Sequence, residues 1–161
     1  MKNSTYIVYF LLLFLLITVG CGGATKTSEK KAVITNPNMP SISFEEMKEI
    51  YEGCDFIDII FYTVDFSMSV NAKSNIQRMV GMVSTNAATL NPECQAMGRL
   101  FFQKNGEMLI EADMYFDDKC QYFVFQKDGQ PVYANYITPE GQAYFKQVFA
   151  QVKVTPTAPP Q

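Results

Sequence analysis

The sequence predicts an α+β domain: a four-stranded antiparallel meander over about 98–135, a long strand before it over about 55–70, and short helices plus a C-terminal helix packed on the sheet. Three observations predict it. Asn105-Gly106 and Asp128-Gly129 sit between alternating apolar residues, and only Gly, Asn and Asp readily accept the positive φ angles of a two-residue hairpin turn. The apolar period changes from about 3.6 to 2 on passing Gly53. Thr138-Pro139 then opens a last stretch of helical spacing, with Thr as N-cap and Pro at the first helical position.

Composition narrows the chemistry. The chain has 161 residues, enough for one domain of ordinary size, and its 13 Phe and 9 Tyr are a generous aromatic supply. It has no histidine, which removes Ser-His-Asp and Cys-His catalysis and nearly every imidazole-based zinc site. There is no Gly-rich phosphate loop and no CxxC pair. A formal net charge of −3 without a basic cluster argues against nucleic acid and against electrostatic docking on anionic lipid. No cofactor and no metal site is implied.

The N-terminus reads as an address. Lys2 and a polar start precede an apolar run over 6–19, then Gly20-Cys21-Gly22-Gly23. That is the pattern of a secretory signal peptide, and the run is shorter than the roughly 20 residues of a membrane span. Thr18-Val19-Gly20-Cys21 resembles the lipobox of bacterial lipoproteins. The resemblance implies removal of residues 1–20 and diacylation of Cys21 on sulfur, so that Cys21 becomes an acylated N-terminus in the cell envelope. Gly22 is not the aspartate that retains some Gram-negative lipoproteins at the inner membrane, so the resemblance favours the outer membrane. An uncleaved single span, extended through Gly20 to Ala24, is the alternative.

Residues 21–40, rich in Gly, Thr, Ser and Lys with Pro37 and Pro40, read as a flexible tether. A coil of about 20 residues spans roughly 25 Å on average and roughly 65 Å when stretched. The domain then occupies 41–152. Ser43-Phe44-Glu45-Glu46 is a capping box, with Ile42 and Met47 placed for a hydrophobic staple. Phe44, Met47 and Ile50-Tyr51 recur at helical spacing until Gly53 stops the helix. In 55–70, Ile57, Ile59 and Phe61 fall on one face and Phe56, Ile60, Tyr62, Val64, Phe66 and Met68 on the other, with a bend or split near 63–65. Asp58 inside that run is turned to solvent, hydrogen-bonded or functional. A second short helix is expected over 74–83, with Ile76, Met79, Val80 and Val83 on one face, followed by a loop to Glu93.

In the meander the turns set the register. Phe101 is expected opposite Ile110, Ala112 opposite Phe125, Met114 opposite Phe123 and Phe125 opposite Val132, on one face with Met108, Phe116 and Ala134. The other face then carries Leu100, Phe102, Leu109, Glu111, Asp113, Tyr115, Tyr122, Val124 and Tyr133. Either the first helix or the loops cover that face, or it is a binding surface formed by Phe102, Glu111, Asp113, Tyr115, Tyr122 and Tyr133. In the last helix Ala143-Tyr144, Val148 and Val152 are expected against the sheet. Residues 153–161, with Pro156, Pro159 and Pro160, read as a disordered tail.

Cys21 aside, three thiols remain, and export permits a disulfide. The register puts Cys94 opposite Asp117 and Asp117 opposite Cys120, one strand apart and nearly 10 Å in a flat ladder. Because Cys94 precedes its strand, the loop can fold across, so Cys94–Cys120 is the expected pair and Cys54 the buried free thiol.

For function, the leading expectation is a non-enzymatic, lipid-anchored envelope protein that binds another envelope protein or a cell-wall component. The rival is a carboxylate hydrolase acting on periplasmic glycan. Glu111 and Asp113 share a strand face at about 6–7 Å, near the range of paired-carboxylate chemistry, with tyrosines nearby to stack sugars. A structural envelope spacer is the third reading.

Overall fold

The computed structural model describes residues 38–152. The signal segment, Cys21, the tether up to Pro37 and the tail 153–161 lie outside the described residues. Among the described residues three helices, α1 (Phe44–Gly53), α2 (Lys73–Val80) and α3 (Pro139–Val152), accompany seven strands. The strands are β1 (Phe56–Phe61), β2 (Ser67–Val70), β3 (Val83–Ala87), β4 (Gly98–Lys104), β5 (Glu107–Phe116), β6 (Gln121–Lys127) and β7 (Gln130–Ile137). They form one antiparallel sheet in the order β2-β1-β4-β5-β6-β7-β3. The fold class is α+β, and β4 to β7 are the expected meander.

Local chemistry explains most boundaries. The Ser43 hydroxyl accepts from the Glu46 N–H (3.1 Å) and donates back to the Glu46 carboxylate (3.1 Å), closing the capping box. The Thr138 hydroxyl accepts from the Gly141 N–H (3.2 Å) at the start of α3. Both hairpin turns use the left-handed region, with Asn105 at φ 53° and Asp128 at φ 52° ahead of Gly106 at 80° and Gly129 at 72°.

Four expectations are corrected. The segment 55–70 splits near 62–66, where a bend or split is expected, but its two halves are not one line of strand: they form the β1–β2 hairpin. That reversal brings Phe66 and Met68 back to the face of Ile57, Ile59 and Phe61 rather than the opposite one, with Val70 beside them, since Ile59 pairs with Met68 and Ile57 with Val70. The second helix ends at Val80, and Val83–Ala87 becomes an edge strand against β7 because its backbone finds partners there. On α3, Phe145 and Phe149 enter the core, with Tyr144 and Val148 only partly buried beside them. On α1, Phe44 is 76% exposed, so Ile50 alone is fully buried from that helix.

The main core lies between the helices and one face of the sheet, here the inner face. Ile50, Ile76, Met79, Val80, Phe145 and Phe149 from the helices meet Ile57, Ile59, Leu100, Phe102, Phe123 and Phe125 from the strands. On the outer face a second cluster covers only β5 to β7. There Met39, Ala88, Leu90 and Cys94 pack over Tyr115, Tyr122, Val124 and Ala134. Residues 38–40 belong to this packing: Asn38 bridges to Thr89, and the Pro40 carbonyl accepts from the Ala134 N–H (2.9 Å). Buried Asn135 ties the entry to α1 in place. Its Oδ1 accepts from the Ile42 N–H (3.0 Å), and its Nδ2 donates to Ser41 Oγ (2.6 Å) and to the Ser84 carbonyl (2.8 Å).

The disulfide pairs Cys94 with Cys120 at a Cα separation of 6.2 Å, and Cys54 is buried and free. The loop before β4 folds across the sheet end, as the position of Cys94 ahead of its strand requires. Burial pushes the Cys54 thiol above its ordinary pKa, which keeps it protonated and unreactive.

Candidate interaction surface

Two β-bulges decide what the outer face carries. The β4–β5 ladder starts in the register set by the turn, with Lys104 opposite Glu107 and Gln103 opposite Met108, then slips by one residue so that Phe102 faces Ile110. The β6–β7 ladder does the same beyond Gln126–Pro131, so that Phe125 faces Tyr133 and not Val132. Each slip moves every later side chain of one strand to the other face. Phe102 therefore goes into the main core, 2% exposed, and Phe101 turns outward opposite Glu111 rather than Ile110. Tyr133 and Ala134 exchange faces for the same reason: Ala134 is in the outer cluster, and Tyr133 packs on the inner side. Of the six residues expected on one binding face, Glu111, Asp113, Tyr115 and Tyr122 stay together; Phe102 and Tyr133 leave it.

The outer face is ordered in rows that run from its open side at β2 and β1 to its covered side at β6. One row runs Ser69, Asp58, Phe101, Glu111, Gln126; the next runs Ser67, Ile60, Arg99, Asp113, Val124. Asp58 accepts from the Ser69 hydroxyl (2.6 Å), which settles its place as a hydrogen-bonded surface carboxylate. At the centre is Arg99. Its Nε donates to Asp113 Oδ1 (2.7 Å), its Nη2 to Asp113 Oδ2 (3.1 Å) and its Nη1 to Glu111 Oε2 (3.1 Å). The Gln126 amide also donates to Asp113 Oδ2. This is a bidentate guanidinium–carboxylate fork with a second carboxylate on its flank. The hydrogen bond to Asp113 holds the Arg99 pKa above its ordinary value, against the opposing effect of burial.

Arg99 is the residue sequence reasoning missed. A straight hairpin register would have placed it on the core face with Phe101, an unpaired buried cation. That conflict, together with two carboxylates on β5 lacking a cation, was the available signal. The arrangement fixes charge rather than moving protons, because both oxygens of Asp113 and one of Glu111 are already bonded to Arg99.

Toward β6 the face closes. Tyr115 and Tyr122 stack at 4.8 Å under the 88–97 loop, and the Tyr122 hydroxyl exchanges hydrogen bonds of 3.4 Å with the backbone of Asn91. Burial, followed by the nearby Asp113 charge, pushes the Tyr115 pKa up to about 12; burial also raises that of Tyr122. Neither ring is open to a ligand. Toward β1 the face stays open, with Ile60 46% and Tyr62 48% exposed.

No family model, no curated protein and no solved structure matches the chain.

Two further side-chain clusters lie elsewhere among the described residues. Cys94, Asp117 and Cys120 bring ligating atoms within 4.8 Å of one another. The two sulfurs are joined, so neither is a thiolate, and Asp117 Oδ1 already accepts from the N–H groups of Lys119 and Cys120 (2.7 Å each). The other cluster holds Tyr133, whose hydroxyl donates to Glu46 Oε1 (3.1 Å), where Lys127 also donates. The Lys127 bond, more than any other contact, holds the Glu46 carboxyl below its ordinary 4.5. A lowered folded-state pKa gives stability that is present above the unfolded pKa and lost as pH falls through the folded one. The wild type should therefore exceed Glu46→Gln in urea stability at pH 6, and the gap should close as pH drops below about 4.5. A gap that stays constant from pH 6 to pH 3 would contradict the pairing.

Proposed function

We propose that this chain is a lipid-anchored envelope protein whose domain binds another envelope protein through the open half of its outer sheet face. The observation that carries the reading is the apolar group of half-exposed Ile60 and Tyr62 with partly buried Phe101, beside a rigid ion cluster, on a sheet half that no helix among the described residues covers. Within the two rows three carboxylates, Asp58, Glu111 and Asp113, stand against one guanidinium, Arg99. The excess negative charge fits a partner that presents apolar side chains at the centre and Lys or Arg at the rim. The anchor rests on the lipobox-like Thr18-Val19-Gly20-Cys21, and the outer membrane is the proposed location. Two acyl chains hold a protein stably where one does so marginally. Commitment of the Glu111 and Asp113 oxygens to Arg99 favours binding over glycan hydrolysis.

The test is cross-linking in intact envelopes, with the chain tagged after Gln161, followed by capture and mass spectrometry. One protein should be recovered in near-stoichiometric amount, and recovery should drop about tenfold for Ile60→Glu or Asp58→Lys, each of which places an unfavourable charge on the face. Unchanged recovery from both variants would overturn the face, and capture of peptidoglycan fragments alone would replace the protein partner with a cell-wall one. Cys21→Ala should lose lipid labelling and leave an uncleaved precursor; normal processing would overturn the anchor.

A further inference from the structure

The two edges of the sheet are treated differently. At β3 the Thr85 carbonyl accepts from Ser41 Oγ (3.0 Å), so the segment before α1 touches that edge. At β2 no other strand among the described residues lies on the open side. The bond from the Phe61 N–H to the Phe66 carbonyl (3.4 Å) sets the phase of the β1–β2 ladder. Phe66, Met68 and Val70 turn their backbone groups toward β1, and Ser67 and Ser69 turn theirs outward. The short bond between the Ser69 and Asp58 side chains agrees, because side chains approach most closely in the pairs that are not hydrogen-bonded.

That open edge is short, at four residues, but it lacks the other usual guards. From Phe66 to Ala72 the chain has no charge and no proline, and charges and prolines are what proteins place on edges to stop pairing. Its inner side is an apolar stripe of Phe66, Met68 and Val70, with Phe66 39% exposed. The stripe borders a groove of about 1020 Å³ between the β1–β2 hairpin and α3, walled by Val64, Tyr144, Val148 and Val152. Outward backbone groups that no other strand among the described residues pairs with, and a half-covered apolar stripe, thus share one strand. A single added strand with apolar residues inward and small polar ones outward would satisfy both.

β2 is itself such a strand. We propose that β2 pairs antiparallel with β2 of a second copy of this chain, across a two-fold axis at Met68. The outward groups of Ser67 then bond those of Ser69 in the second copy, and the reverse. Met68 faces its own counterpart, and Phe66 faces Val70, so the inner stripes cover each other beside the two grooves. Asp65 falls opposite Asn71, so no like charges meet. A four-residue strand makes a small interface, so monomer and dimer exchange with concentration. This contact is separate from the outer face and leaves it open.

The experiment uses the full chain, purified in detergent, with single cysteines in β2 and the unsubstituted chain as background. Across a non-hydrogen-bonded antiparallel pair the Cα atoms are about 4.5 Å apart, within disulfide reach. Met68→Cys should give a disulfide-linked dimer under mild oxidation, at least about tenfold more than Phe66→Cys, which faces Val70 in this register. Met68→Lys sets two ammonium groups on the axis and should weaken dimerisation about tenfold by analytical ultracentrifugation, with an unchanged circular dichroism spectrum. Equal cross-linking from both cysteine positions would overturn the register. A monomeric mass for the unsubstituted chain at all concentrations would overturn the dimer and leave the edge to a strand from a different protein.

Discussion

Replacing Arg99 with methionine should lower the unfolding free energy by about 3 kcal/mol, the low end for breaking a buried ion pair. The low end applies because Arg99 is 27% exposed in its side chain and Glu111 30%, so Glu111 rehydrates when the guanidinium goes. Asp113 does not. Its side chain is only 8% exposed, and without Arg99 it keeps a single amide donor, that of Gln126. An uncompensated carboxylate in that position carries most of the penalty. The Arg99→Met, Asp113→Leu pair should recover more than half of the loss, since removing both charges also removes the desolvation cost. Urea unfolding of the two single variants and the double variant, read as a cycle, checks this. Additive losses, or a loss under about 1 kcal/mol for Arg99→Met, would show that the cluster behaves as solvated surface charge.

Loss of the Cys94–Cys120 disulfide should be of similar size. A bridge with a sequence separation of 26 stabilises by about 3 kcal/mol in the chain-entropy model. For a domain of this size that corresponds to a Tm lower by roughly 10–15 °C. The Cys94→Ser, Cys120→Ser variant, or the wild type under reductant, should show the shift. The structural consequence is local, because the bridge pins the 88–97 loop over stacked Tyr115 and Tyr122. Hydrogen exchange at Ala88 and Cys94, whose N–H groups are bonded to Ala134 and Asn91, should speed up before the β1–β4 ladder is affected. An unchanged Tm with reductant would mean that the loop is held by its apolar contacts alone.

Much of the fold was legible in the sequence because its signals are local. Asn105-Gly106 and Asp128-Gly129 demanded positive φ and obtained it, Ser43 and Thr138 capped the helices they precede, and the β5–β6 pairs Ala112–Phe125 and Met114–Phe123 stand as the turns implied. The candidate site was legible only in part. Glu111, Asp113, Tyr115 and Tyr122 share a face because they lie on two strands with no bulge between them. Phe102 and Tyr133 were misplaced because each lies beyond a bulge in its hairpin, and Arg99 was missed for the same reason.

The bulges have a physical cause that alternation alone cannot display. In a straight β4–β5 ladder Phe101 would be buried, but Arg99 and Gln103 would follow it into the core. With one residue of slip Leu100 and Phe102 are buried instead, 1% and 2% exposed, and Arg99 meets Asp113. In β7 the slip turns Ile137 inward and leaves Tyr136 40% exposed. Both registers give one apolar face, so hydrophobic periodicity does not choose between them; the sum of burial and charge pairing across neighbouring strands does.

By itself, then, the sequence determined the α+β class, the hairpin turns, the helix starts and the β5–β6 register, because each depends on a few adjacent residues whose backbone preferences are strong. Tertiary structure alone decided the β1–β2 reversal, the recruitment of Val83–Ala87 as an edge, the faces of β4 and β7, and which half of the outer sheet is covered. Those depend on what lies on the far side of each strand, and a one-residue slip reverses a face without changing any local preference.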